Sequence, residues 1–185
     1  MGLTTLLSNS QDRDFGPYPS INTVMKIPEK LRKNFPPKIK YIEKIPDISV
    51  DVHLMCSELK TLNTAPWQKT NNQTKLCLYE LNWCDFTVSI PYTKTVIDSL
   101  KSYMPFNSVY YRYLHSQTCY SWHIDVMETS LHIPLITNEG CKFVYSDAIF
   151  SMPADGSVYM VNNSIPHSFM NAGRHDRLHI TMDIF

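Results

Sequence analysis

The C-terminal half of this chain is a succession of short strand-like segments, which constrains the fold more than any other feature. From residue 107 onward, eight segments rich in β-branched and aromatic residues alternate with turn signals such as NEG, ADG and NAGRHD. The segments are SVYYRYLH, CYSWHID, SLHIPLIT, CKFVYS, AIFSM, SVYMV, HSFMN and DRLHITMDI. Because no helical pattern separates them, they predict a mainly β protein, an eight-stranded double-sheet jelly roll with a few flanking helices.

The residues before this region predict an arm followed by the start of the domain. Residues 1–50 contain six prolines and a lysine-rich stretch, so they predict an irregular arm packed on the domain, with a short helix at 28–34. Residues 51–185 are then expected to form a single jelly-roll domain whose core strands occupy 107–185.

The first part of the domain predicts mixed local structure. Residues 48–64 predict a strand and a short helix, and residues 65–75 predict a loop. The segments KLCLYELNW and DFTVSIPY predict strands. The segment TKTVIDSLKSYMP predicts a helix capped by Thr93 or Thr95. Its apolar stripe is Val96, Ile97, Leu100, Tyr103 and Met104.

Composition excludes several classes of protein. The 17 basic and 17 acidic residues cancel, so no overall positive field argues for nucleic acid as a partner. Five cysteines without a CxxC pair indicate reduced thiols rather than a disulfide framework. The N-terminus lacks a signal-peptide pattern, and no run approaches the ~20 apolar residues of a membrane span. We therefore expect a cytoplasmic protein without a membrane partner, and the oligomeric state stays open.

The run YSWHIDVMETSLHIPL contains a polar pair within an otherwise apolar stretch. His123 and Asp125 are two residues apart, and in a strand such residues share one face. Trp122 would point to the opposite side and is expected in the core. The pair is either a histidine hydrogen-bonded to a carboxylate or part of a binding site.

His167 and Arg177 extend this pattern. His167 follows Asp125 by 42 positions, and two histidines with one carboxylate form the facial triad that binds Fe(II) and leaves the opposite face open. Arg177 follows ten positions later, on a segment where alternate residues through Asp183 are polar. A polar inner face is costly unless it lines a site. The guanidinium suits a carboxylate held bidentately, or an ion pair with Asp183 or Asp176.

The order HxD, histidine, arginine resembles that of Fe(II)/2-oxoglutarate-dependent oxygenases. The stretches SLHIPLITNEGCKF, VNNSIPHSFMNAG and DRLHITMDI are similar to the aspartyl/asparaginyl β-hydroxylase branch, and proline 3-hydroxylase-type enzymes are also similar. The resemblance covers residues 83–185. It implies a double-stranded β-helix of the cupin-like kind. It also implies a dioxygenase that uses Fe(II), 2-oxoglutarate and O₂ to hydroxylate an amino-acid or peptidyl side chain of Asp, Asn or Pro type, releasing succinate and CO₂.

The resemblance also implies roles for individual residues. His123, Asp125 and His167 would be the catalytic metal ligands. Arg177 would hold the distal carboxylate of 2-oxoglutarate. The candidates for the cofactor pocket are Arg177, His132, His179, Ser130, Tyr111 and Tyr113. The branch often has arginine where this chain has Ser130, which points to a different grip on a carboxylate or a different substrate.

Residues 110–113 have two possible placements. Alternate side chains of this run either line the pocket or belong to an aromatic core, and the sequence does not decide between them. In such a jelly roll the second strand neighbours the seventh and the third neighbours the eighth, which would bring the metal ligands together.

The rival interpretations of function are a non-catalytic cupin-like metal-binding or sensing module and a structural protein on the same scaffold. Arg177 argues against a sensor, because a sensor has no need of a carboxylate grip.

Overall fold

The computed structural model describes residues 39–80, 82–102 and 104–184. The strands in these residues are β1 (Ile42–Ser49), β2 (Gln68–Lys69), β3 (Gln73–Glu80), β4 (Asn82–Trp83), β5 (Phe106–Leu114), β6 (Thr118–Cys119), β7 (Thr129–Ile136), β8 (Cys141–Tyr145), β9 (Ala148–Phe150), β10 (Ser157–Asn162), β11 (His167–Asn171) and β12 (Arg177–Ile184). The helices are α1 (Val52–Glu58) and α2 (Pro91–Lys101), and 3₁₀ turns occupy Leu59–Leu62 and Asp85–Ser89.

Two antiparallel sheets form the domain. The major sheet has the strand order β1-β10-β7-β12-β5-β3-β2, with β4 on the end of β3, and the minor sheet has the order β6-β11-β8-β9. Each of the eight predicted segments after residue 107 overlaps one of these strands, but CYSWHID does so only at Cys119, where β6 ends. The expected neighbours, β6 beside β11 and β7 beside β12, also pair. The predicted jelly roll, a mainly β double-stranded β-helix with few helices, is therefore confirmed.

Strand β12 shows how one strand serves two purposes. Its alternate residues Leu178, Ile180 and Met182 are buried in the main hydrophobic core. That core also contains the apolar face of α2, from Val96 to Leu100. The intervening polar residues face the opposite side, toward the minor sheet, as the period-two pattern predicts. One face of the major sheet is therefore stabilised by helix packing, and the other is left for polar side chains.

Several predictions before residue 107 need correction. The part of the predicted arm that the structure describes includes β1, which pairs with β10 at the edge of the major sheet. The helix expected at 28–34 lies outside the described residues, and the domain boundaries stay a prediction. The predicted strand DFTVSIPY is wrong, because a 3₁₀ turn over Asp85–Ser89 leads into α2. The Thr87 hydroxyl donates back to the Cys84 carbonyl at 2.6 Å, and Pro91, whose fixed φ suits a first helical turn, starts the helix.

The predicted caps of α2 are also wrong. Thr93 and Thr95 lie inside the helix, and Tyr103 of the predicted stripe lies outside the described residues. The buried carboxylate of Glu58 instead accepts hydrogen bonds from the backbone amides of Tyr92 at 2.7 Å and Thr93 at 2.9 Å. A helix N-terminus offers unpaired amides and a positive dipole end, so a carboxylate there satisfies both. The cap comes from α1, 34 residues earlier in the chain.

Other expectations concern the cysteines and the membrane. All five cysteines lie among the described residues and carry free thiols. Neither helix of the described residues is long and apolar enough to cross a bilayer.

Replacing Glu58 tests this cap. Glu58→Gln keeps the shape but removes the charge and places an amide donor group beside amide donors, so we expect the free energy of unfolding to fall by about 1–3 kcal/mol. Urea unfolding followed by circular dichroism measures the change. Glu43→Gln, on the exposed part of β1, is the matched control and should leave the midpoint nearly unchanged. Equal effects of the two variants would contradict the role of Glu58.

Candidate functional site

A cavity of about 260 Å³ lies between the two sheets. The major sheet lines it with Gln73, Arg112, Tyr113, Leu114, Ser130, His132, Arg177, Thr181 and Asp183, and the minor sheet with Phe143, His167 and Phe169. The connection between β6 and β7 adds Asp125, Val126 and Met127, and Asn163 completes the lining. Most of the residues that the sequence singled out therefore meet in one cavity.

His123, Asp125 and His167 meet at one edge of this cavity. The Nε2 atom of His123 lies 3.5 Å from one carboxylate oxygen of Asp125, and the Nε2 atom of His167 lies 3.9 Å from the other. One ligand atom from each residue falls within 4.8 Å of the other two. Two imidazoles and one carboxylate are donors that suit a divalent transition metal with open coordination positions.

The backbone explains this convergence differently from the sequence argument. His123 pairs with His167 through an isolated bridge in which each amide donates to the other's carbonyl at 3.0 Å. Strand β6 has already ended at Cys119, and beyond the bridge the Asp125 amide donates to the Asn163 carbonyl at 3.2 Å. The two side chains converge because of this bridge and the following loop, not because a continuous strand gives them a common face.

Trp122 corrects another expectation. It was expected in the core, but 55% of it is exposed, as is 57% of Ile124. The segment lies at the edge of the minor sheet, where only the inward side packs against described residues. Inward residues therefore carry the site, while alternate apolar residues reach solvent.

The two histidines are oriented by backbone carbonyls. Nδ1 of His123 bonds the Ser121 carbonyl at 2.7 Å, and Nδ1 of His167 bonds the Ile165 carbonyl at 2.9 Å. A carbonyl only accepts, so each Nδ1 carries a proton, and the Nε2 atom of each ring faces Asp125. Burial lowers the pKa of His167, and its Nε2 is buried without a hydrogen-bond partner among the described residues. This orphaned lone pair fits a bound metal ion.

Arg177 lies inside the cavity as an isolated cation. Only 5% of the residue is exposed, its Cζ lies 5.5 Å from the centre of the Phe169 ring, and burial lowers its pKa to about 10. The described residues give it no ion-pair partner, and its Nε has no acceptor. The ion pairs considered from the sequence do not form, because Asp183 pairs with Arg112 and Asp176 accepts from the Ser116 amide. A buried cation in this state suits an anionic ligand.

A chain of polar groups runs along the cavity wall and continues to His179. The Asn163 side-chain amide donates to the Ser130 hydroxyl at 3.0 Å, which lies 3.0 Å from Nε2 of His132. Nδ1 of His132 lies 3.2 Å from Nδ1 of His179, so one ring donates and the other accepts. Burial, with Arg177 as the next contribution, lowers the pKa of both rings well below its usual value. Ser130 thus joins a network of neutral side chains, in the position where the resemblance pointed to arginine in other members of the branch.

The two tyrosine candidates lie differently. The Tyr111 hydroxyl lies 3.3 Å from that of Thr93 in α2, on the helix side of the sheet, so the structure does not bring Tyr111 to the cavity. Tyr113 contributes to the lining, but its ring packs 5.5 Å from Trp67. The alternate residue Arg112 faces the cavity instead. The sequence predicted that alternate residues of β5 share a face, but not which of the two faces lines the cavity. The pairing of β5 with β12 determines that.

Fold and site together define the class. A jelly roll whose sheets enclose two imidazoles, a carboxylate and a buried arginine is the arrangement of a 2-oxoglutarate-dependent dioxygenase of the hydroxylase type. The model of the aspartyl/asparaginyl β-hydroxylase family matches residues 49–185, and the chain belongs to this family.

Solved structures share the fold at low sequence identity. A 2OG-Fe(II) oxygenase family protein from Burkholderia pseudomallei is 14% identical over 76% of this chain and 82% of that chain, with a TM-score of 0.55. A prolyl hydroxylase from Trichoplax adhaerens, in complex with a hypoxia inducible factor peptide fragment, is 14% identical over 78% and 82%, with a TM-score of 0.56. HygX from Streptomyces hygroscopicus, with nickel and 2-oxoglutarate bound, is 10% identical over 76% and 81%, with a TM-score of 0.53. A search of curated proteins finds no match.

The buried histidines predict how stability depends on pH. His132 and His179 have lowered pKa values, so below about pH 6.5 the unfolded state binds protons that the folded state does not. We therefore expect the free energy of unfolding to fall as the pH drops from about 7 to about 5, by up to ~1.4 kcal/mol per pH unit for each histidine.

His179→Asn tests this expectation. Denaturant unfolding of metal-free protein across this pH range should show a shallower slope for the variant than for the wild type. His53→Asn, which changes an exposed residue of α1, is the matched control and should keep the wild-type slope. An unchanged slope in His179→Asn would contradict the neutral, buried state of this ring.

Proposed function

We propose that the protein binds Fe(II) through His123, Asp125 and His167 and binds the distal carboxylate of 2-oxoglutarate through Arg177. The single observation that carries this proposal is that Asp125 and His167 of the three-donor cluster line the same cavity as the buried guanidinium of Arg177, which has no ion-pair partner among the described residues. The cluster alone would suit any metal-binding module, and the guanidinium alone would suit any anion. Together they match a cosubstrate that coordinates a metal at one end and has a carboxylate at the other.

The donor set is consistent with one metal ion and open positions. Bound Fe(II), with 2-oxoglutarate and O₂, would supply the oxidation that hydroxylates a C–H bond while 2-oxoglutarate becomes succinate and CO₂. Three protein ligands leave room for cosubstrate, whereas four would close the site, as in structural zinc centres.

The chain's own residues would bind and orient the metal and the cosubstrate, and they would exclude water from the site. The Ser121 and Ile165 carbonyls fix the imidazoles in the tautomer that directs Nε2 at the metal. The ring of Phe143 stacks 5.1 Å from that of His167, and Phe169 lies beside Arg177, so both ends of the cosubstrate site have apolar walls. Low polarity strengthens the attraction between Arg177 and a carboxylate.

The substrate in this proposal is an amino-acid or peptidyl side chain of Asp, Asn or Pro type. The family description supports the first two, and the Trichoplax prolyl hydroxylase was solved with a peptide. The cavity reaches solvent beside Val126, which is 94% exposed, so a side chain on a larger molecule could enter it. The five free thiols are consistent with a reducing, cytoplasmic location.

An anaerobic titration tests the cosubstrate site. Apo protein receives Fe(II) and then 2-oxoglutarate, and absorption spectroscopy follows the metal-to-ligand charge-transfer band. We expect the band in the wild type and its loss in His123→Ala. In Arg177→Gln, the apparent dissociation constant for 2-oxoglutarate should rise by about tenfold to a hundredfold, because a charged hydrogen-bonding partner is lost.

Arg174→Gln serves as the control, since it removes an exposed arginine three residues from Arg177. It should titrate like the wild type. A metal that binds at His123 without any band on adding 2-oxoglutarate would reject the cosubstrate site and favour the metal-sensing alternative. Equal titrations of Arg177→Gln and Arg174→Gln would reject the role of Arg177 alone.

A further inference from the structure

Arg112 and Asp183 form a charged pair on the cavity wall that the proposed cosubstrate site leaves unused. Arg112 lies on β5 and Asp183 on the neighbouring β12, and the Arg112 Nη2 atom is 3.6 Å from Oδ2 of Asp183. Their side chains are 29% and 23% exposed, and both residues line the same cavity as Asp125 and His167. The pair is therefore within reach of a molecule that enters the cavity.

Other contacts hold each member of the pair in place. Nε of Arg112 donates to the Thr181 hydroxyl at 2.8 Å, and its guanidinium lies 4.6 Å from the centre of the Tyr110 ring. Oδ2 of Asp183 accepts from the Ser108 hydroxyl at 2.8 Å. Among the described residues, the Arg112 Nη groups have no hydrogen-bond acceptor, and Oδ1 of Asp183 has no donor. A fixed pair thus presents free donors beside a free acceptor.

This pattern matches one chemical group better than its alternatives. A primary carboxamide presents its carbonyl oxygen and an N–H on the same edge, so it can accept from Arg112 and donate to Asp183. A carboxylate would be attracted by Arg112 but repelled by Asp183, and it has no proton to donate. A trans peptide group directs its N–H and C=O to opposite sides. A proline ring would leave both members unsatisfied, which is unfavourable in a closed site.

We propose that Arg112 and Asp183 recognise the primary carboxamide of an asparagine-type substrate and discriminate against the carboxylate of aspartate. This inference rests on the proposed function and narrows its substrate class. The carboxamide belongs either to free asparagine or to an asparaginyl residue in a peptide. Arg112 and Asp183 are specificity-determining residues, whereas Arg177 serves the cosubstrate.

Matched substrates and variants test this assignment. The Fe(II)-loaded enzyme with 2-oxoglutarate is given capped peptides with a fixed central Asn, Asp or Pro and mixed flanking residues, and also free asparagine and free aspartate. Succinate release and mass spectrometry report turnover. We expect the wild type to prefer Asn over Asp in kcat/KM by about tenfold to a hundredfold, the range of a charged hydrogen bond. The peptide and free-amino-acid arms distinguish the two sources of the carboxamide.

The variants separate the two recognition groups. Asp183→Asn removes the negative charge and should lower the Asn-to-Asp ratio to about one, since the repulsion of the carboxylate is lost. Arg112→Gln should raise KM for the Asn substrate by about tenfold or more. Calorimetric titration of the anaerobic Fe(II)–2-oxoglutarate complex with Nα-acetyl-asparagine N-methylamide gives a binding readout that needs no turnover. Asp98→Asn, in the surface pair with Lys94, and Arg174→Gln are the controls for charge.

The 2-oxoglutarate titration of the same proteins keeps this proposal separate from the proposed function. Both variants should bind 2-oxoglutarate like the wild type, which also shows that they are folded. Wild type that binds 2-oxoglutarate but turns over Asp or Pro at least as well as Asn, or accepts none of the three, would overturn the carboxamide assignment. An unchanged Asn-to-Asp ratio in Asp183→Asn would overturn it too. Failure of the wild type to bind 2-oxoglutarate would instead count against the cosubstrate site.

Discussion

The buried guanidinium of Arg177 is the interaction on which the rest of the cavity depends. A cation removed from water without a carboxylate is costly, and the surroundings show several adjustments to it. Burial, and after it the charge of Arg177, lowers the pKa of the adjacent His132 and His179 well below its usual value, so that no second cation lies beside the guanidinium. Phe169 lies over the guanidinium. The positive charge of Arg177 is balanced only when an anion enters, so this point of the cavity favours the binding of a carboxylate.

The domain tolerates this unbalanced buried charge because its stability comes from packing on the other face of the major sheet. Leu178, Ile180 and Met182 alternate with the polar residues of β12 and join a core closed by α2. The Glu58 carboxylate fixes the start of that helix by accepting two of its amides. A period-two strand can therefore hold apolar packing on one side and an imperfectly satisfied binding site on the other.

The sequence predicted the parts of this structure that depend on local pattern. Most of the strand segments and the alternation within β12 follow from residue types and spacing. The meeting of His123, Asp125 and His167 was expected from a shared strand face and from the resemblance, but a backbone bridge and a loop bring it about. The failures have tertiary causes. Trp122 is exposed because its segment lies at a sheet edge, and Tyr111 faces the helices because cross-strand register, not composition, directs a strand's two faces. The cap of α2 was missed because its carboxylate comes from another helix.

The neighbours of Ser130 explain what a serine does at this position. In register, Ser130 on β7 stands opposite Asp183 on β12, while Arg112 reaches Asp183 from β5 on the other side. An arginine at position 130, as the branch often has, would place a second cation beside the same carboxylate and beside His132. It would also remove the hydroxyl that Asn163 and His132 share. With serine there, the cation that balances Asp183 comes from β5, and the donor and acceptor that face the substrate keep equal and opposite charge. In this chain, therefore, the charges that face the proposed substrate lie on β5 and β12, and β7 contributes only the neutral hydroxyl of Ser130.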